Sequence, residues 1–379
     1  MSHPFTTTVV GSFPRPRGLI EATKMRSAGE ASQRDYDALL EEATKSTIEG
    51  EIQAGLDVIT DGEQRRSSFV SFVGDKIPGF KVMHITELNP RAMDVLKKHK
   101  VQLTYSRAVV SEPLRDSVIA RDEFEKARKY STKPFKVTLP APYLVMWEGW
   151  HSRLSKEAYP TPEEFAHAYA KLLRREVARL KDAGVAFIQL DEPMLGDLTE
   201  AGDKPDRYRR VFDELYGQKY RGFKEELKLA VELLNEVTKG VGGVRLGVHM
   251  DRWPNKDSPY FNIGYERFLP ELLEIRTNQL VLEYTTAGTG DPTKLVDEFP
   301  SDLEIGLGVI SVQDYEVETP EQVVSRVEKI VGPIEPERIW LNPDCGFAPG
   351  MYRTFPRDIA FAKLRSMTEA AKVLREKHA

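Results

Sequence analysis

Four residues able to bind a metal stand at or just past the ends of short apolar runs in this chain of 379 residues. Cys345, its only cysteine, follows Arg338-Ile339-Trp340-Leu341 within Asn342-Pro343-Asp344-Cys345-Gly346. His249 and Asp251 close Leu246-Gly247-Val248-His249-Met250-Asp251, and Glu283 closes Leu280-Val281-Leu282-Glu283. One imidazole, one thiolate and one or two carboxylates form a mixed N/O/S set that zinc accepts at four-coordinate geometry. The His-x-Asp spacing can serve one ion, because a loop breaks strand alternation after His249. The bland readings are a small buried hydrophobe for the cysteine and a simple hydrogen-bonding role for the histidine. Asp251 admits three roles: ligand, acceptor for His249, or spectator.

For these side chains to meet, parallel strands must carry them to one rim. Residues 5–10 are rich in β-branched types, and Gly11-Ser12-Phe13-Pro14 breaks the run. Apolar positions at helical spacing fill 34–54, Gly55 signals a C-terminus, and 56–63 is expected as the next strand, ending in Asp61-Gly62-Glu63. Residues 136–139 form a strand followed by Trp147 and Trp150, aromatics that either stack on a flat ligand or pad the rim. Thr161-Pro162-Glu163-Glu164 is a capping box that opens a helix, Gly184 ends it, and the apolar run 185–190 delivers Asp191-Glu192. The alternation continues through strands ending at His249, Glu283 and Leu307, a second capping box at Thr319, the strand before Cys345, and a last helix over 357–376.

About eight strand-then-helix units predict an α/β fold, a (β/α)8 TIM barrel formed by residues 1–379 as a single domain, with a doubly wound open sheet as the rival. Residues 64–130 are the least regular. They are expected to form an insertion over the barrel mouth, with a hairpin through 81–85 and 101–105 and a helix near 121–129. In a barrel the carboxyl ends of the strands surround one pocket, which Ser12, Asp61, Glu63, Asp191, Glu192 and Gln313 would then share with the four metal candidates.

Composition narrows the function classes. Net charge is -5, hydrophobic content 40% and charged content 30%, with no sustained basic stripe to engage nucleic acid. No apolar run approaches the roughly 20 residues that span a bilayer, and the N-terminus has neither a signal-peptide core nor an Arg-rich transit face, so the expected location is cytoplasmic. One cysteine excludes an intramolecular disulfide and a thiolate-only metal cage. No Gly-rich phosphate fingerprint supports nucleotide chemistry. Small-molecule partners are expected, and nothing in the residues speaks to oligomeric state.

Several stretches together resemble the catalytic half of cobalamin-independent methionine synthase. They are Thr7-Thr8-Val9-Val10-Gly11-Ser12-Phe13-Pro14, Asp61-Gly62-Glu63, Ile188-Gln189-Leu190-Asp191-Glu192-Pro193, His249-Met250-Asp251, Leu282-Glu283 and Asn342-Pro343-Asp344-Cys345-Gly346. They run in family order through nearly the whole chain. The resemblance implies zinc held through His249, Glu283 and Cys345, with Asp251 at a further ligand position. It also implies a substrate thiol, homocysteine in the family, bound at its amino acid end by Ser12, Glu63 and Asp191, and an alkyl donor faced by Trp147. Coordination would deprotonate a thiol whose free pKa is about 8.5 and so make a nucleophile that attacks an alkyl carbon, leaving a thioether.

The chain departs from the family pattern at two positions. His249-x-Asp251 stands for His-x-Cys, exchanging a soft thiolate for a hard carboxylate, which leaves zinc a stronger Lewis acid and a bound thiolate a poorer nucleophile. Gln313 stands where the family has a histidine thought to relay a proton, and glutamine cannot titrate. Asp191 and Gln313 are accordingly the candidate catalytic residues, and no companion N-terminal barrel is expected. The function implied is zinc-dependent alkylation of a thiol, with methyl transfer to homocysteine first. The alternatives are C–S bond formation or cleavage of the epoxyalkane:coenzyme M transferase type, and a metal-free protein binding an amino acid or pterin.

Overall fold

The computed structural model describes residues 3–379 except 28, 31, 102–105, 199–203, 253–263, 287, 297 and 349–354. Among the described residues the strands are β1 (Thr6–Thr7), β2 (Phe80–His84), β3 (Ser106–Val110), β4 (Lys136–Pro140), β5 (Phe187–Asp191), β6 (Arg245–Met250), β7 (Gln279–Leu282), β8 (Glu304–Ile310) and β9 (Ile339–Pro343). Seven of them form one sheet in the order β1-β9-β8-β7-β6-β5-β4, with all neighbouring strands parallel. Helices lie between successive strands. The longest, Pro162–Ala183, begins at Thr161, whose hydroxyl accepts the Glu164 N–H at 3.2 Å, and ends at Gly184 in a left-handed conformation (φ 92°). No described helix is long and apolar enough to cross a membrane.

The closed eight-stranded barrel expected from the alternation is not what forms. The parallel sheet has seven strands and two edges, β1 and β4, which do not pair with each other, so it is an open half-barrel. The expected second strand, 56–63, is the missing member. It touches each edge at one place, through Asp57 and Val58 N–H to Thr7 O and through a single parallel bridge between Ile59 and Phe135. Side chains take the backbone groups a ladder would use. Asp57 Oδ2 accepts both Thr7 N–H and Thr7 Oγ1 at 2.8 Å, while Glu51 accepts Thr60 N–H at 2.7 Å and Thr60 Oγ1 at 2.9 Å. A carboxylate satisfies these donors as well as a neighbouring strand would, and the ladder stops.

The insertion carries an antiparallel hairpin of β2 and β3, in register from Phe80 opposite Val110 to His84 opposite Ser106. The return strand therefore starts at Ser106, and residues 102–105 of the expected one lie outside the described residues. Val73, Ile85 and Val109 of this region join the same apolar core as Leu139, Ile188 and Leu341 of the sheet.

Glu51 is fully buried, and burial pushes its carboxyl up to about 8. Because the folded value lies above the unfolded one, this group stabilises fully below the ordinary carboxyl range, and that contribution is lost as pH rises through about 8. In Glu51→Gln an amide nitrogen can donate to Thr60 Oγ1, which then turns toward Gly11 O at 3.5 Å. Urea denaturation should show the stability of the wild type falling relative to Glu51→Gln between pH 5 and pH 9; a constant difference would show that Glu51 does not titrate there.

Candidate functional site

The carboxyl ends of β5, β6, β7 and β9 bring the chemistry together. His249 is the fifth residue of β6 and lies opposite Asp191 of β5, Asp251 follows β6, Glu283 follows β7, and Cys345 lies two residues past β9. Ligand atoms of Asp251, Glu283 and Cys345 all lie within 4.8 Å of one another, and the Cys345 thiol is 3.7 Å from Asp251 Oδ2. His249 is not in that three-residue group, but it lines the same cavity, with Ser12, Glu63, Asp191, Asp251 and Cys345. The cavity is small, about 50 Å³, and Val10, Phe69 and Pro193 supply its apolar wall.

The imidazole is oriented by the sheet. Nδ1 lies 3.1 Å from Val281 O on β7. A carbonyl can only accept, so Nδ1 carries the proton and Nε2 presents its lone pair. Nε2 is buried without a hydrogen-bond partner, and so is Glu283 Oε2. Burial drives the imidazole down to about 3, which keeps it neutral, and drives the Asp251 carboxyl up. Burial, then the charges of Asp344 and Asp251, push Glu283 up; burial, then Asp251 and Glu283, push the Cys345 thiol up. These anionic donors penalise one another's ionisation, and beside them stands an unused imidazole lone pair. A divalent cation relieves both problems at once, so the residues fit a mixed N/O/S metal site.

Asp344 sets the spacing of this cluster. It is fully buried and accepts the N–H groups of Tyr284 and Thr285 at 3.0 Å, the Thr286 hydroxyl at 2.9 Å, and the Thr285 hydroxyl. One carboxylate beside Cys345 thus clamps the loop that leaves Glu283. At the adjoining Gly346 a Cβ would stand 2.1 Å from Ser12 Oγ, so any larger residue there has to turn the Ser12 hydroxyl away. Backbone bonds tie the rim loops together, Phe347 N–H to Ser12 O and Phe13 N–H to Gly62 O, each at 3.0 Å.

Glu63 and Asp191 line the same cavity. Gln189 donates to Asp191 Oδ1 at 2.7 Å and to Val10 O at 3.0 Å, and its own oxygen accepts from buried Lys136 at 2.8 Å. Burial, then the Glu63 charge, raise the Asp191 carboxyl to about 8. Glu192 anchors a neighbouring helix instead, accepting the Leu144 N–H at 3.1 Å. Two sequence candidates lie elsewhere. Trp147 is packed inside, its ring against Tyr143 and Phe212. Gln313 is exposed, with its backbone N–H donating to Ser311 Oγ at 3.1 Å. Neither lines the cavity. Trp253, the neighbour of Arg252, lies outside the described residues.

By sequence Arg66 reads as one member of a solvated ion-pair cluster with Asp61 and Glu63, and Lys136 and Thr138 carry no role; all three are buried and support the rim carboxylates. Two of them had a signal, because Lys136-Val137-Thr138-Leu139 alternates polar with apolar, which marks a strand with polar side chains on one face. The support role of Asp344 generates a prediction. Asp344→Ala frees the 284–286 loop and should weaken metal affinity about 10-fold or more, measured by titrating zinc against a chromophoric chelator. Wild-type affinity in that variant would remove Asp344 from the account.

A family model described as the cobalamin-independent synthase catalytic domain matches residues 5–211 and 265–373. A methionine synthase of Sulfurisphaera tokodaii is 30% identical over 372 residues, covering 98% of this chain and 92% of that protein. One of Saccharolobus solfataricus is also 30% identical over 372 residues, covering 98% and 95%. A solved B12-independent methionine synthase from Shewanella sp. W3-18-1, in complex with selenomethionine, matches at a TM-score of 0.74 and 20% identity over 99% of each chain. At that identity the structural match shows a shared fold. The long sequence matches carry the assignment further: the chain belongs to the cobalamin-independent methionine synthase family, through its catalytic domain.

Proposed function

We propose that this protein is a zinc-dependent thiol methyltransferase that converts homocysteine to methionine. The observation that carries the reading is the meeting of Asp251, Glu283 and Cys345 ligand atoms within 4.8 Å, beside the unpartnered Nε2 of His249. Relatives covering almost the whole chain bear the name methionine synthase, which supports the choice of substrate. His249, Asp251, Glu283 and Cys345 are the residues that would hold zinc. Bound zinc lowers the pKa of a coordinated thiol, supplying a thiolate nucleophile at neutral pH.

The remaining roles belong to the chain itself. Glu63 and Asp191 face the cavity as two carboxylates, a setting that selects a thiol bearing an ammonium group over a plain one. Ser12 offers a hydroxyl beside Gly346, close enough to orient the same amino acid end. Val10, Phe69 and Pro193 form the apolar wall that limits water around the thiol. The alkyl donor approaches as a second small molecule. Trp147 and Gln313 have no part in this reading, because neither reaches the cavity.

Protein purified without added metal should contain about one zinc per chain and consume homocysteine thiol when given a methyl donor. Cys345→Ser should lose most of that metal. Parallel incubation with coenzyme M and epoxides separates the reading from C–S bond chemistry on another thiol, to which a hard carboxylate at position 251 is also suited. Protein that neither contains zinc nor melts higher when zinc is added would falsify the metalloenzyme reading. In a separate test of Asp251, Asp251→Cys should bind zinc more tightly and give a more nucleophilic bound thiolate. Unchanged affinity would place Asp251 outside the ligand set.

A further inference from the structure

Of the pocket carboxylates, Glu63 has the most extended support. Its backbone is left-handed (φ 55°) directly after Gly62 (φ 65°), a conformation that is unfavourable for a residue carrying a Cβ. Three bonds hold it there. Glu63 N–H donates to Asp61 Oδ1 at 2.9 Å, and Glu63 O accepts from Arg15 Nη2 at 3.2 Å and Arg66 N–H at 3.1 Å. The side chain is held separately. Arg66 Nη1 donates to Thr138 Oγ1 at 2.9 Å, Thr138 Oγ1 donates to Glu63 Oε1 at 2.6 Å, and Arg66 Nη1 lies 3.4 Å from the same oxygen. All these side-chain contacts fall on Oε1, which leaves Oε2 to meet a ligand. Gly11 makes room, since a Cβ there would stand 2.6 Å from Oε1.

Arg66 is itself held from two directions. Nη2 donates to Thr138 O of β4 at 2.9 Å, and Nε donates to Glu123 Oε2 at 2.9 Å. The guanidinium also lies over the Phe72 ring, 4.4 Å from its centroid. Glu123 belongs to the helix Arg121–Ala127 of the insertion, and Lys76 approaches its other oxygen at 3.8 Å. The side chains of Glu63, Arg66 and Glu123 are 6%, 3% and 4% exposed. At that burial the ion pairs are little screened, and loss of one member leaves its partners unsatisfied.

The geometry points to Arg66 as a positioning residue: with Thr138 it fixes the Glu63 carboxylate in the orientation that receives a substrate ammonium, and through Glu123 it makes that orientation depend on the seating of the insertion helix. This rests on the reading above in which Glu63 binds the amino acid end of the thiol. The helix Arg121–Ala127 then takes part in recognition without touching the ligand. An ion pair that served stability alone would leave discrimination between thiols unchanged.

The test compares homocysteine with 4-mercaptobutyrate, the same thiol without its ammonium group, in zinc-loaded wild type, Arg66→Gln, Arg66→Lys, Thr138→Val and Glu123→Gln. Zinc content, melting temperature, calorimetric Kd and the KM-against-kcat split are recorded for each. Arg66→Gln should weaken homocysteine about 10-fold or more, and Thr138→Val and Glu123→Gln about 3-fold, with kcat within about 3-fold and zinc unchanged. Binding of 4-mercaptobutyrate should stay at its wild-type value, and Arg66→Lys should recover part of the loss. Wild-type homocysteine affinity in the variants, or equal weakening of both thiols, overturns the inference. If Arg66→Gln does not fold, the Thr138 and Glu123 variants decide by the same criteria. If the wild type itself does not prefer homocysteine to 4-mercaptobutyrate, the substrate reading of Glu63 fails first and the inference falls with it.

Discussion

The cost of ionising buried acidic groups beside one another is the constraint around which this site is arranged. Asp251, Glu283 and Cys345 crowd within 4.8 Å of one another, and Asp344 stands directly behind them. In water such groups would separate, and in a protein interior each ionisation is opposed by desolvation and by its neighbours' charges. The fold answers the two kinds of carboxylate differently. Asp344 receives backbone and hydroxyl donors from three successive residues and becomes a structural clamp. Glu283 keeps an oxygen without a partner, as His249 keeps a nitrogen. Donor atoms left unmet next to a fully satisfied carboxylate are a setting that fits a cation.

The same division runs around the rest of the rim. Three residues that face the cavity are backed by ones that do not: His249 by the Val281 carbonyl, Asp191 by Gln189 and Lys136, Glu63 by Thr138 and Arg66. Such backing narrows the orientations open to a carboxylate before any ligand arrives. It also draws in segments remote in the chain, since the support of Glu63 passes from β4 to a helix of the insertion.

The open edge belongs to the same economy of polar groups. Asp57 and Glu51 satisfy backbone donors of Thr7 and Thr60 that a ladder of strands would otherwise occupy. The segment between them stays irregular, and the chain then turns through Gly62 into the left-handed Glu63 that faces the cavity. Giving up regular pairing over a few residues is what aims that carboxylate.

The alternation of strands and helices, the helix N-caps at Thr161 and Thr319, of which only Thr319 completes the reciprocal box, and the placing of His249, Asp251, Glu283 and Cys345 at strand ends were all legible from the residues alone. Periodicity, capping and turn chemistry act over a few neighbouring positions, so they are written locally. Closure of the sheet was not legible, because it turned on which donors Asp57 and Glu51 reached across the fold. Nor could local pattern place Trp147 in an apolar layer and Gln313 at the surface, or tell that Arg66, beside Asp61 and Glu63 in sequence, would be buried against Glu123. Burial and charge pairing depend on residues distant in the chain, and only tertiary structure brings those together.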